Sequence, residues 1–442
     1  MSSVGASLVA APLDRPAALV WWRRNREWSR RLFAGILSPE AYWDRPIALR
    51  NPFIFYEGHL AAFPVNTLLR RGLGGPGIDA ELEVVFERGI DPSDERAVAA
   101  ATWPERARVL DYVRRTDEAI EAALTAGLPE GAPGDEYFRT LLEHEEMHQE
   151  TLLYMLHRVP YGRKRRPADA PEPVTGGTAP ARRGVRIPPG RATLGAARGE
   201  IPFGWDNEFP RCGVDVPAFT MDAHAVTNSD WLEFVEAGGY GEPSLWAGND
   251  FEWVSRQGVK HPVFWERREG AWFWRGQFGE VPLPPAWPVY VSHAEASAYS
   301  RWKVRRLPTE AEYHRAAFGR PDGTESAHPW GEAAPEARHG NFGFARWDPM
   351  PAGAFPGGAS AWGVEDLVGN GWEWTATPFA GFPGFRPMAT YPAYSADFFD
   401  GRHFVMKGAS PATAVSMVRR TFRNWFQTHY PFPYAKFRTV AP

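Results

Sequence analysis

His144 and His148 stand four residues apart in the stretch LLEHEEMHQETLL, residues 141–153. On a helix that spacing stacks both imidazoles on one face, one turn apart, where both reach a single ion. Imidazole nitrogen suits iron, zinc, copper and nickel. His59, within Phe55-Tyr56-Glu57-Gly58-His59-Leu60, opens an earlier helix and supplies a third imidazole. Three histidines from two helices would fill one face of an octahedral ion, leaving the opposite face for oxygen and substrates. The familiar facial set for oxygen-activating iron(II) has a carboxylate in the third place. Exchanging it for imidazole makes the site more cationic and favours an anionic thiolate or selenolate as an added ligand. A plainer reading of His59 is a helix N-terminal histidine satisfied by the backbone. His144-Glu145-Glu146-Met147-His148 also spells HExxH, the zinc-protease arrangement, with Glu145 as general base. His157 follows His148 by nine residues, about 900° of helical rotation, and is expected on the opposite, solvent side.

These residues need helices to hold them. Helical periodicity marks residues 104–126 through Val109, Leu110, Val113, Ile120 and Leu124, stopped by Gly127-Leu128-Pro129. Residues 135–159 carry Phe138, Leu141, Leu142, Leu152, Leu153, Met155 and Leu156, and Pro160 ends the run. Earlier helices are expected at 18–37 and 58–71, giving four helices that suit a bundle. Residues 163–186 are rich in Pro, Gly, Ala and Arg without any amphipathic period, which reads as a linker. The basic run Arg163-Lys164-Arg165-Arg166 is expected to be solvated linker charge.

From residue 187 short apolar segments alternate with Gly, Pro, Asn and Asp turns. Helices are expected at 228–237, capped by Asn228, and at 292–303, where Ser292 and Glu295 form a capping box. Another should follow Thr309, with Glu312 in the same relation. The boundaries expected are therefore 1–160 for a helical domain, 161–186 for a linker and 187–442 for a loop-rich domain of short strands.

Composition narrows the function. The formal net charge of −4 argues against a general nucleic-acid binder. No run of about 18 apolar residues exists, so neither a membrane span nor a targeting segment is expected. Cys212, the single cysteine, excludes an intrachain disulfide, a CxxC pair and a thiolate zinc cluster. A reducing, cytoplasmic setting is expected.

Beyond residue 187 the chain carries Phe203-Gly204-Trp205-Asp206-Asn207-Glu208, Val226-Thr227-Asn228, Gly238-Gly239-Tyr240 and Pro288-Val289-Tyr290-Val291-Ser292. Arg306-Leu307-Pro308-Thr309-Glu310-Ala311-Glu312 and Asn370-Gly371-Trp372-Glu373-Trp374-Thr375 follow. With these motifs in order, the chain resembles the EgtB-type sulfoxide synthases of ergothioneine biosynthesis. The resemblance covers about residues 18–160 and 187–440. It implies an α+β architecture: an N-terminal DinB-like four-helix bundle, then a formylglycine-generating-enzyme-like domain with a C-type-lectin-like fold. Formylglycine-generating enzymes use a cysteine pair, which Cys212 alone cannot supply; the position after Gly408-Ala409-Ser410 is Pro411.

The resemblance further implies Fe(II) held by His59, His144 and His148, with hercynine, a thiol donor and O2 as small-molecule substrates. The second domain would close over the bundle and supply much of the pocket. Asn424 would hydrogen-bond a carboxylate, and Trp425 and Phe426 would face a quaternary ammonium. The plainer reading of such aromatics is core packing. The chain departs from the family pattern at two points. The family's proton-donating tyrosine corresponds to Phe379, with Phe382 three residues on, and phenylalanine has no hydroxyl. Met147 stands where the family places glutamine, removing a hydrogen bond and adding a soft, polarisable surface.

Both departures resemble the selenoneine synthase (SenA-type) branch, which joins hercynine to the selenosugar 1-seleno-glucose. A selenol is more acidic and more readily oxidised than a thiol, so the resemblance implies that the phenol is dispensable there. A neutral sugar also needs fewer cationic anchors than gamma-glutamylcysteine, for which Arg114 and Arg115 are candidates; these arginines read equally well as solvated helix charge. Sulfur coupling with gamma-glutamylcysteine or cysteine, thiol dioxygenation, and a non-catalytic lectin-like binding module remain as alternatives.

Overall fold

The computed structural model describes residues 13–87, 102–126 and 134–442. The expected helix stop at Gly127-Leu128-Pro129 lies outside the described residues. The architecture is α+β and divides into two compact units. One takes the chain up to Asp169 together with Gly199–Phe203 and Met388–Pro392, and the other takes Ala170–Arg198, Gly204–Pro387 and Ala393–Pro442.

The first unit is helical. Helix α1, Arg15–Arg30, opens on Asp14, whose carboxylate accepts from the Ala17 amide, with Pro16 in the first turn. It runs on as a π-helical stretch, Arg31–Ile36. Helix α2, Phe53–Pro64, is buried along its whole length and also continues as a π-helical stretch, Val65–Gly72. Short α3, Ala80–Val85, is capped by Asp79. The long helices α4, Arg106–Ala126, and α5, Gly134–Arg158, complete the unit. α1 packs on α4 and α5, and α2 packs on the same two. Trp22, Phe63, Ile120, Phe138 and Leu142 meet in the core.

Three expectations change here. His59 lies in the middle of α2 rather than opening it, because the helix starts at Phe53 directly after Pro52. Burial on all sides gives Phe53-Ile54-Phe55-Tyr56 no amphipathic period by which to announce that start. His157 is fully buried rather than at the surface. Lys164 is likewise buried: its Nζ donates to the Leu156 carbonyl at 2.7 Å, completing the end of α5. Its neighbour Arg163 reaches Asp44 at 3.1 Å. Lys164 is therefore docked on the bundle rather than solvated, while Arg163 stays partly exposed in its ion pair.

The second unit carries small sheets. Strand β1, Gly184–Ile187, pairs antiparallel with β4, Phe219–Asp222; β2, Gly190–Leu194, pairs with β3, Cys212–Val216. β5, β6 and β7 (Trp265–Arg268, Ala271–Arg275, Glu280–Pro282) form a meander. The largest sheet has the order β10-β9-β8-β11, from Asn424–Gln427, His403–Ala409, Gly371–Pro378 and Ala435–Lys436, with β11 parallel to β8. Helices α6, Asn228–Glu236; α7, Asp250–Gln257; α8, His293–Trp302; and α9, Glu310–Phe318 lie between the strands. The capping boxes at Ser292/Glu295 and Thr309/Glu312 are present. The cap of α6 is Thr227, one residue before the expected Asn228, because Thr227 exchanges hydrogen bonds with Asp230.

Trp231, Trp265, Trp274, Trp287, Trp372 and Trp374 are buried, which accounts for much of the tryptophan content as core. Arg438 makes a bidentate pair with Glu373 at 2.6 and 2.7 Å, and Lys436 lies 3.1 Å from the same carboxylate; all three are fully buried.

Candidate metal centre

α2 presents His59 and α5 presents His144 and His148, and one ligating nitrogen from each lies within 4.8 Å of the others. The ring centroids are 4.5 to 5.1 Å apart. Nε2 of His144 and Nε2 of His148 approach to 3.2 Å. All three side chains are buried. Burial disfavours the charged form, pushing His59 down to about 4 and the other two well below the usual imidazole value. All three are therefore neutral near pH 7, the form that ligates.

His59 has a second partner. Its Nδ1 lies 2.7 Å from the Phe86 carbonyl, which only accepts, so Nδ1 carries the proton. Nε2 is left as a buried lone pair with no hydrogen-bond partner. Three neutral imidazoles with converging nitrogens, one of them orphaned, fit a first-row divalent metal. The backbone bond to His59 is the plainer reading set out above, and it proves compatible with ligation.

Aromatic rings wall the site. Phe63 lies flat on His144, centroids 3.5 Å apart and planes 7° apart. Phe55 stacks on His59 at 5.3 Å. Tyr391 stands edge-on to Phe63 at 5.2 Å and to His144 at 6.1 Å, and the Tyr56 ring lies 5.8 Å from His148. Sequence reasoning missed both phenols. Tyr56 lay hidden in an aperiodic aromatic run, and Tyr391 comes from Met388–Pro392, which belongs to the helical unit despite its place in the chain. Two phenol rings thus stand near the histidine cluster within its own unit. Met147 is half-buried on α5 between the two histidines.

The HExxH reading assigns Glu145 as a base, but α1 holds this carboxylate. Arg26 Nη1 donates to it at 3.0 Å and Ser29 Oγ at 2.7 Å, while Arg26 Nε reaches Asp117 at 2.8 Å. Burial raises the Glu145 carboxyl against the opposing pull of Arg26. A base tied into a buried ion pair is not available to a water at the histidines. Arg114 pairs with Asp111 and Glu118 on its own exposed helix face, while half-buried Arg115 pairs with Asp111 and donates to the Ile78 carbonyl at 3.3 Å. Arg114 behaves as helix-surface charge, and Arg115 ties its helix to the segment that opens α3.

The remaining candidate residues lie in the second unit. Phe379 is buried and stacks on Trp425, centroids 4.1 Å apart and planes 8° apart. Tyr394 meets Trp425 edge-on at 5.3 Å. The Arg423 guanidinium lies 4.3 Å from the Phe382 centroid and 5.2 Å from that of Phe379, and forks onto Glu310 at 2.9 and 3.0 Å. Asn424 Oδ1 accepts from the Trp425 amide at 2.8 Å. Phe426 stacks instead on Tyr430 at 5.2 Å. Strand alternation sends successive side chains of β10 to opposite faces, so Trp425 and Phe426 do not share a ligand-facing side. Phe379 and Phe382 meet at Arg423 and Trp425 stacks on Phe379, whereas Phe426 packs elsewhere.

With this geometry in hand, similarity to known proteins decides the family. A hercynine oxygenase of Mycolicibacterium smegmatis is 37% identical over 404 residues, covering 85% of this chain and 88% of the relative. That of Mycolicibacterium thermoresistibile is 35% identical, covering 85% of this chain and 84% of the relative. This chain belongs to the EgtB-type hercynine oxygenase family. The chain is also similar to ergothioneine biosynthesis protein 1 of Neurospora crassa, 28% identical over 92% of this chain and 55% of that protein. Residues 170–442 match the sulfatase-modifying factor enzyme 1-like domain. Among EgtB-type chains the second unit is thus the formylglycine-generating-enzyme-like half, here with the single cysteine Cys212 half-buried on β3. Among the described residues no helix is long and apolar enough to cross a membrane.

Proposed function

We propose that this chain is a non-haem iron(II), O2-dependent enzyme that joins C2 of the hercynine imidazole to a chalcogen donor, with the selenosugar 1-seleno-glucose as that donor. The observation that carries the reading is the convergence of His59, His144 and His148, buried and neutral, in a chain whose relatives are hercynine oxygenases. When bound, iron(II) supplies the one-electron chemistry that lets ground-state O2 react with closed-shell substrates. The protein's own groups do the rest. The three imidazoles keep their lone pairs because burial excludes protons from them. Phe63, Phe55 and the aliphatic body of the bundle keep bulk water from the cluster. In the second unit Trp425 offers an aromatic face to a trimethylammonium, a cation–π contact of about 0.5–2 kcal/mol.

The half-buried thioether of Met147, on the helix that carries His144 and His148, supports a soft donor. Sulfur coupling to gamma-glutamylcysteine or cysteine is the second reading. It is favoured by Tyr391 and Tyr56, whose phenols stand beside the histidines. The test is anaerobic iron loading, then exposure to air with hercynine plus either the selenosugar or gamma-glutamylcysteine, followed by mass spectrometry. A hercynine–selenosugar adduct is expected. A sulfur adduct alone would replace the first reading by the second. Sulfinate formed from thiol without hercynine would point to a dioxygenase.

A further inference from the structure

We propose that α3 is the positioning element of the metal centre: seated on Gly58 and tied down by Glu83, it holds the Phe86 carbonyl on Nδ1 of His59 and so fixes that ligand's tautomer and aim. This inference rests on reading the three histidines as a metal site.

Gly58 supplies the first observation. It lies inside α2, next to His59, where glycine is less favourable than alanine. No positive φ requires it there. A Cβ at this position would stand 2.4 to 2.5 Å from three atoms of the Phe86 ring. Gly58 therefore admits Phe86 flush against α2, and any larger residue would drive the ring away.

The second observation is how α3 is anchored. A helix of six residues is not stable on its own, so its contacts decide where it sits. Glu83, fully buried, accepts from the amides of Ile78 at 2.5 Å and Asp79 at 3.0 Å and from Arg70 Nη1 at 3.0 Å. Its carbonyl accepts from Asn66 Nδ2 at 3.1 Å. Asp79 caps the first turn through the Leu82 amide. The Phe86 ring also packs against Phe55, which itself stacks on His59.

The consequence falls on His59. A ligand imidazole needs its second nitrogen held by an acceptor, which sets both ring orientation and tautomer. For His59 that acceptor is a backbone carbonyl 27 residues away along the chain. No side-chain exchange at position 86 removes it; only displacement of the α3 end does. A carbonyl also leaves the imidazole uncharged, in keeping with an all-neutral ligand set.

Gly58→Ala in the full-length protein tests this, with anaerobic Co(II) as the probe and its visible d–d bands as the readout. Alanine favours the helix, so weakening of α2 itself cannot account for a loss. We expect Co(II) affinity to fall about 10- to 100-fold with an altered band pattern. The double variant Gly58→Ala/Phe86→Ala, which makes room for the new methyl, should recover most of that affinity and the original bands. Unchanged affinity in the single variant, or a double variant no better than the single, overturns the proposal. A separate measurement needs neither variant nor metal. In ¹⁵N-resolved histidine spectra of the metal-free protein, His59 should carry its proton on Nδ1, and a proton on Nε2 would refute the assignment. A chain that binds no metal but shows the Nδ1–H tautomer would remove the metal reading while leaving the Phe86–His59 contact intact.

Discussion

Phe63 covers one face of the His144 imidazole, centroids 3.5 Å apart and planes 7° apart. Phe63 stands on α2 four residues after His59, so the helix that provides one ligand also restrains another on α5. Phe63→Leu keeps an apolar side chain but loses the flat contact. Global stability should fall by about 1–2 kcal/mol and Fe(II) affinity by about tenfold. Equilibrium urea melts and anaerobic metal titration separate the two effects. Unchanged affinity would reduce Phe63 to core packing.

Glu145 distinguishes the family's chemistry from that of an HExxH protease. Glu145→Gln leaves the buried Arg26 with Asp117 as its remaining acidic partner. The expected cost is about 3 kcal/mol, the low end for breaking a buried pair, with metal content retained at temperatures where the variant stays folded. Abolished turnover at unaltered stability would instead assign Glu145 a role as base.

Acid sensitivity has an identifiable source in the second unit. Burial holds His293 down to about 4, against the pull of Asp250 and the Thr375 carbonyl; Arg301 and His429 reinforce the lowering. Its ring stacks on Phe404 at 3.8 Å. The unfolded chain takes up this proton below about 6.5, the folded chain only below about 4. Between those values the unfolded state binds more protons, so stability falls as pH drops from 6.5 towards 4. His293→Phe should flatten that slope by up to about 1.4 kcal/mol per pH unit, measured by urea melts at stepped pH. An identical slope in the variant would mean that His293 does not titrate this way.

Tyr391 lies near His144 although more than two hundred residues separate them in sequence. If its phenol serves as a proton donor, Tyr391→Phe should lower coupled product about 100-fold while leaving Fe(II) affinity within a few-fold. Product yield by mass spectrometry and metal titration on the same preparation check both. A yield within threefold of wild type would confine Tyr391 to packing.

Much of this site was legible because its logic is local. His144 and His148 declare themselves by helical spacing, and the capping boxes at Ser292 and Thr309 are four-residue signals. Periodicity failed where burial is complete. The aromatic opening of α2 has no polar face, so its start and the central place of His59 were hidden, and the burial of His157 went unread for the same reason. Partners distant in sequence left no local trace: Arg26 on Glu145, Phe86 on His59, Tyr391 beside His144. Strand alternation at Trp425 and Phe426 was available in principle, but it required knowing that Asn424–Gln427 is a strand.

The most direct measurement is iron stoichiometry, taken anaerobically on the wild type and on His59→Ala, His144→Ala and His148→Ala, with circular dichroism confirming the fold of each. The account predicts one Fe(II) per wild-type chain and near-complete loss from every one of the three folded variants. Full iron retention in folded His59→Ala would contradict it, because the ligand from α2 would then be dispensable.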